Sequence, residues 1–144
     1  MSSLPGKKRV LILCTGNSCR SQIAEALWRH EAGDRYEVFS AGTEPRAIHP
    51  LTARVLQEFG ISLAGQRSKH VDEFAGQRFD LVVTVCGHAA ATCPVFSGAA
   101  RTQHWPFDDP AAAAGSDAEL LTVFRWVRDQ IHRRIREHLA SDNR

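Results

Sequence analysis

The stretch CTGNSCRS, Cys14 to Ser21, separates a cysteine from an arginine by five small or polar residues. It follows the apolar run RVLIL and precedes a helix-like QIAEALWRH. A cysteine in this setting can be a nucleophile, a metal ligand or a small residue buried at a turn. A loop between a strand and a helix aims backbone N–H groups at whatever lies above it, and the helix N-terminus adds positive potential. Thr15, Gly16, Asn17 and Ser18 tolerate tight or left-handed backbone, so successive N–H groups can curl around one oxyanion. Arg20 adds a planar fork for two oxygens of a tetrahedral anion. Cys14 would then sit at the bottom of the bowl, held as a thiolate by the same charges. Ser21 would bond the sulfur or cap the helix. Cys19 reads as scaffold, its backbone N–H still available to the anion.

The other two cysteines are Cys86 and Cys93. The spacings C-x4-C and C-x6-C differ from the C-x2-C knuckle of zinc sites, so no metal centre is expected. Cys86 ends the apolar run FDLVVTV and therefore belongs at the same sheet edge as Cys14. Cys93, beside Pro94 in a polar segment, does not look like a buried thiol.

These residues need a frame. Residues 8–13 read as a buried strand, 21–32 as a helix with Ile23, Ala24, Leu27 and Trp28 inward, and 36–42 as a strand ending in glycine. Pro50 opens a helix over 50–59 with Leu51, Val55, Leu56 and Phe59 on one face. Residues 79–85 form a continuous apolar strand and 101–105 a weaker one. SDAE at 116–119 is a capping box that opens a helix over 117–140, with Leu120, Phe124, Val127, Ile131, Ile135 and Leu139 at helical spacing. Alternating strands and helices predict an α/β fold: a four-stranded, mostly parallel sheet flanked by helices. Ligands bind such sheets beyond the carboxyl ends of the strands, which selects the loops after residues 13, 85 and 105.

The length of 144 residues suits one domain over 1–144, with 1–7 expected to be flexible. Eighteen basic against 16 acidic side chains leave a net charge of +2, too balanced for nucleic acid as the main partner. The N-terminus lacks a signal peptide's apolar core, and no apolar run approaches the roughly 20 residues needed to cross a bilayer. A cytoplasmic chain without a membrane role is expected, where thiols are reactive rather than structural. The arginines at 125, 128, 133, 134 and 136 read as a solvated helix face.

C-x5-R-S directly after the first strand resembles the low-molecular-weight protein tyrosine phosphatase family. That resemblance implies a general acid in an Asp-Pro pair late in the chain, matched by Asp109 in WPFDDP, with Asp108 the adjacent alternative. A tyrosine phosphatase needs an aromatic slot for a phenol ring, yet AAAA follows Asp109-Pro110 and TEPRAIHP follows SAG. CTGNSCRSQ-x-AE, SAG, VVTVC, CP and HW-x-FDDP together resemble the thioredoxin-coupled arsenate reductases of the same fold, over nearly the whole chain.

The resemblance implies a three-thiol relay. Cys14 attacks arsenate, Cys86 attacks Cys14 and expels arsenite, Cys93 resolves the disulfide, and thioredoxin reduces the Cys86–Cys93 product. A local helix after Cys86 that unwinds on oxidation is expected to carry Cys93. Phosphate and sulfate would compete with arsenate, and a monomer is expected. Glutaredoxin stays open as the reductant. A phosphomonoesterase using Cys14, Arg20 and Asp109, and a non-catalytic oxyanion or redox sensor, are the alternative readings.

Some of these reductases hold potassium beside the loop. The matching positions here are Asn17, Glu25 and Ser40, but the fourth, acidic position is Lys69. Its ammonium would repel a cation and could pair with Glu25, so no bound cofactor is expected and potassium is doubtful.

Overall fold

The computed structural model describes residues 6–86 and 95–142. Four strands form one sheet: β1 (Lys8–Cys14), β2 (Tyr36–Gly42), β3 (Phe79–Thr84) and β4 (Ala99–His104). Their order is β2-β1-β3-β4, and every pairing is parallel. The helices are α1 (Arg20–Ala32), α2 (Pro50–Gln57) and α3 (Asp117–Asp142). This is the expected fold class, with ends shifted by a few residues. The α3 start closes as a capping box: Glu119 N–H donates to Ser116 Oγ at 3.2 Å, and Ser116 N–H donates to Glu119 Oε1 at 2.8 Å.

Alternation along β1 feeds two apolar clusters. Val10, Ile12 and Cys14 face the larger one, built with α1, α2 and α3. Leu11 and Leu13 face a smaller one with Phe74, Phe79 and Val82. Each fully buried Leu, Ile or Phe here contributes about 1.5–3 kcal/mol. Trp28 is the hub of the larger cluster. It stacks on Trp105 with ring centroids 5.7 Å apart and meets Tyr36 and His138, each at 5.4 Å.

Two features depart from expectation. Arg128 is not on a solvated face but buried. It donates to Val55 O at 3.0 Å and Glu58 Oε1 at 2.8 Å, and its guanidinium lies 4.0 Å from the Phe59 ring centroid. Arg125 also bonds Glu58, and the two guanidiniums pull that carboxyl from its ordinary 4.5 down to about 2. Phe59, expected in the core, is 38% exposed and is covered by Arg128 and His132 instead. The helical period marked which arginines lie on α3 but not which one turns inward to meet α2.

Among the described residues, no helix is long and apolar enough to cross a membrane.

Candidate active site

β1 ends at Cys14 and α1 starts at Arg20, so residues 15–19 form the turn above the sheet edge. The turn is held from outside. Glu44 N–H donates to Thr15 O, Arg46 N–H to Gly16 O, and His49 N–H and Thr52 Oγ1 to Ser18 O. Gln22 Nε2 takes Asn17 O at 3.1 Å. With these carbonyls drawn outward, the N–H groups are left facing in. Among the described residues, those of Gly16, Ser18 and Cys19 have no internal acceptor. A turn of this shape is a nest that can hold an oxyanion. Gly42 makes the clamp possible, since a Cβ there would lie 2.4 Å from Thr15 O.

The Cys14 sulfur is buried and accepts from Asn17 N–H at 3.1 Å. Ser21 Oγ lies 2.8 Å from the same sulfur. Asn17 also bonds that hydroxyl. Its Nδ2 donates to Ser21 Oγ at 2.7 Å and to Ser40 Oγ at 3.0 Å, while its Oδ1 accepts from Gln22 Nε2 and Lys69 N–H, each at 3.0 Å. Ser21 thus accepts from Asn17 beside the sulfur, while Ser40 donates to Glu25 Oε1 at 2.5 Å. Asn17 occupies left-handed backbone at φ 49°, which asparagine tolerates better than most residues. Cys19 is buried beside Ser18, and burial pushes its thiol up from the ordinary value, as befits scaffold rather than nucleophile.

Arg20 lies along the cavity wall, Nη1 donating to Phe107 O at 3.1 Å and Nη2 3.7 Å from Asp109 Oδ2. Asp109 opens the short 3-10 turn Pro110–Ala112 by accepting Ala111 N–H at 3.0 Å, and its side chain stays 45% exposed. The cavity of about 220 Å³ is lined by Cys14, Arg20 and Asp109, the loop residues, Ala111 and Arg46. Asp108 is exposed and does not line it. Among the described residues, no aromatic side chain lines the cavity. Sequence reasoning missed Arg46, whose one local signal was its place in the loop after SAG.

Cys86 is buried just past β3. Leu13 pairs with Thr84, and Val85 N–H donates to Leu13 O at 2.8 Å, so the chain at Cys86 runs beside the end of β1. Cys86 does not line the cavity. Cys93 and the helix expected after Cys86 lie outside the described residues. Cys14 and Cys19 are free thiols.

Glu25 is held by Arg29 at 2.5 Å, not by Lys69 as expected. Lys69 sends its ammonium to Arg67 O at 2.9 Å, and burial pushes its pKa down. The oxygens that a potassium ion would need are therefore already engaged: Asn17 Oδ1 by two N–H donors, Glu25 by Ser40 and Arg29. These residues do not fit a bound cation.

A cysteine sulfur beneath a nest of N–H groups, with an arginine fork and an Asp-Pro carboxylate on a four-stranded parallel sheet, defines a phosphatase-like oxyanion site. Residues 9–144 match the low molecular weight phosphotyrosine protein phosphatase family, and the chain belongs to it. Within that family several of its relatives are arsenate reductases. The arsenate reductase of Halalkalibacterium halodurans is 47% identical over 130 residues, which cover 90% of this chain and 94% of that protein. A solved arsenate reductase in the phosphate binding state superposes with a TM-score of 0.79 at 30% identity, covering 93% of this chain and 98% of the other. The thioredoxin-dependent arsenate reductase of Corynebacterium glutamicum gives 0.72 at 30% identity, covering 96% of this chain and 63% of that one.

Proposed function

We propose that this protein reduces arsenate to arsenite through Cys14, Cys86 and Cys93, with thioredoxin as the reductant. The thiolate of Cys14 attacks arsenic held by the 15–21 loop and Arg20. One oxygen leaves as water, with Asp109 supplying a proton. Cys86 then attacks the Cys14 sulfur. The S–As electron pair passes to arsenic, which leaves as arsenite, and a Cys14–Cys86 disulfide remains. Two electrons have passed from two thiols to one arsenic. Cys93 attacks Cys86, frees Cys14 and forms the Cys86–Cys93 disulfide that thioredoxin reduces.

The observation that carries this reading is Cys86, a thiol just past the strand next to the nucleophile's, at the same edge of the sheet. A hydrolase would not need it. The absence of an aromatic wall around the cavity supports the same reading. Because Cys86 does not line that cavity, the second step includes a movement of Cys86 toward Cys14. No potassium takes part, since Arg29 and the Lys69 backbone hold the groups that would bind it.

The test is NADPH oxidation with arsenate, thioredoxin and thioredoxin reductase, set against hydrolysis of an aryl phosphate. Peptide mapping after one arsenate turnover should find a Cys86–Cys93 disulfide. Cys93→Ser should complete one turnover and stop as a Cys14–Cys86 disulfide. Finding neither disulfide after arsenate would sink the relay, and aryl phosphate turnover without arsenate reduction would return the site to phosphatase chemistry.

A further inference from the structure

The cavity above Cys14 contains a second guanidinium that the relay does not use. Arg46 lies in the loop between β2 and α2 and lines the same cavity as Cys14, Arg20 and Asp109. Its backbone is fixed by the N–H bond to Gly16 O at 2.9 Å. Its stem lies over the loop: a methyl group at Gly16 would meet Arg46 Cδ at 3.8 Å and Cγ at 3.9 Å. Among the described residues, its guanidinium forms no hydrogen bond or ion pair. Arg20 differs, being committed to Phe107 O and the Asp109 carboxylate.

A cation with a fixed stem and an uncommitted head, at the rim of a small cavity, can do two things. It raises the local concentration of anions, because low-dielectric walls focus its field. It also offers a planar fork to oxygens that the loop N–H groups do not reach. Ala111, a small side chain, also lines the cavity, so the space over the thiol suits a small, doubly charged oxyanion better than the ring of an aryl ester.

We infer that Arg46 is a specificity-determining residue that captures tetrahedral oxyanion dianions at the mouth of the Cys14 cavity. The inference rests on the oxyanion reading of the loop. Arg46 contributes to affinity rather than to the bond-making steps, so its loss separates KM from kcat. The dianion gains more from a second cation than the monoanion does, so the loss grows as pH rises through the oxyanion's second ionisation.

The experiment compares wild type, Arg46→Met, which keeps an apolar stem, and Arg46→Lys, which keeps the charge. Expected for Arg46→Met is a rise of about tenfold in the KM for arsenate and in the inhibition constants of phosphate and sulfate, with kcat within about twofold of wild type. The decline of kcat/KM with added sodium chloride should become shallower, and Arg46→Lys should recover part of the affinity. A KM within about twofold of wild type with an unchanged salt dependence would overturn the inference, as would a raised KM for thioredoxin with arsenate unaffected. Thermal protection by phosphate and sulfate keeps the two readings apart. If wild type is not protected, the oxyanion reading itself fails. If wild type and Arg46→Met are protected equally, only the role of Arg46 fails.

Discussion

At the scale of single residues, the site is organised around where each hydrogen points. Asn17 donates through Nδ2 to two hydroxyls: that of Ser21, 2.8 Å from the Cys14 sulfur, and that of Ser40, which donates to Glu25. The Glu25 carboxylate, itself held by Arg29, anchors one end of this chain of hydrogen bonds, and the Cys14 sulfur receives at the other. Asp109 stands apart from the chain, on the opposite wall with Arg20. Its two oxygens divide the work. Oδ1 holds the turn through Ala111 N–H, while Oδ2 lies on the Arg20 side. Asp109→Asn keeps a carbonyl oxygen for Ala111 and removes the proton donor together with the negative charge beside Arg20. It should slow the first thiol step by about 100-fold or more while the affinity for arsenate changes little. Single-turnover arsenite release measures this, and a rate within a few-fold of wild type would show that leaving-group protonation comes from elsewhere.

At the scale of elements, the loop is shaped by its neighbours more than by its own sequence. The segment between β2 and α2 supplies three N–H groups to the carbonyls of Thr15, Gly16 and Ser18, so the nest opens inward because it is pulled outward. α2 adds Thr52 to the same carbonyl of Ser18, and Arg128 of α3 clasps the far end of α2 through Val55 O and Glu58. A clamp built from N–H donors and two serines needs no ion to stay in place. Arsenate turnover in potassium should therefore match turnover in sodium at equal ionic strength, with KM within about twofold. Steady-state kinetics in the two salts decide the point. A large activation by potassium would mean that Arg29 yields Glu25 to the cation.

At the scale of the whole molecule, the parts legible in the sequence were those with a local signature. The strands showed as apolar runs, α1 and α3 as helical periods, and the loop as a coincidence of Cys, Gly, Arg and Ser between them. Arg46, the Arg29–Glu25 pair and the inward turn of Arg128 were not legible. Each depends on which side chain a distant backbone segment brings within reach, and an arginine carries no local mark of its partner. His138 is of this kind. It lies on the last turns of α3, against the Trp28 and Trp105 rings, and burial pushes its pKa below the ordinary 6.5. Asp142 opposes that shift, and Arg134, Arg101 and Lys8 add to it. Below 6.5 the unfolded chain binds a proton that native His138 refuses, so the unfolded state holds more protons and stability falls as pH falls. The loss starts near 6.5 and levels off below the native value. Urea unfolding followed by tryptophan fluorescence, from about pH 8 to about pH 5, should show this slope in wild type and a smaller one in His138→Gln. Equal slopes in the two proteins would place the titrating group elsewhere and leave His138 as packing alone.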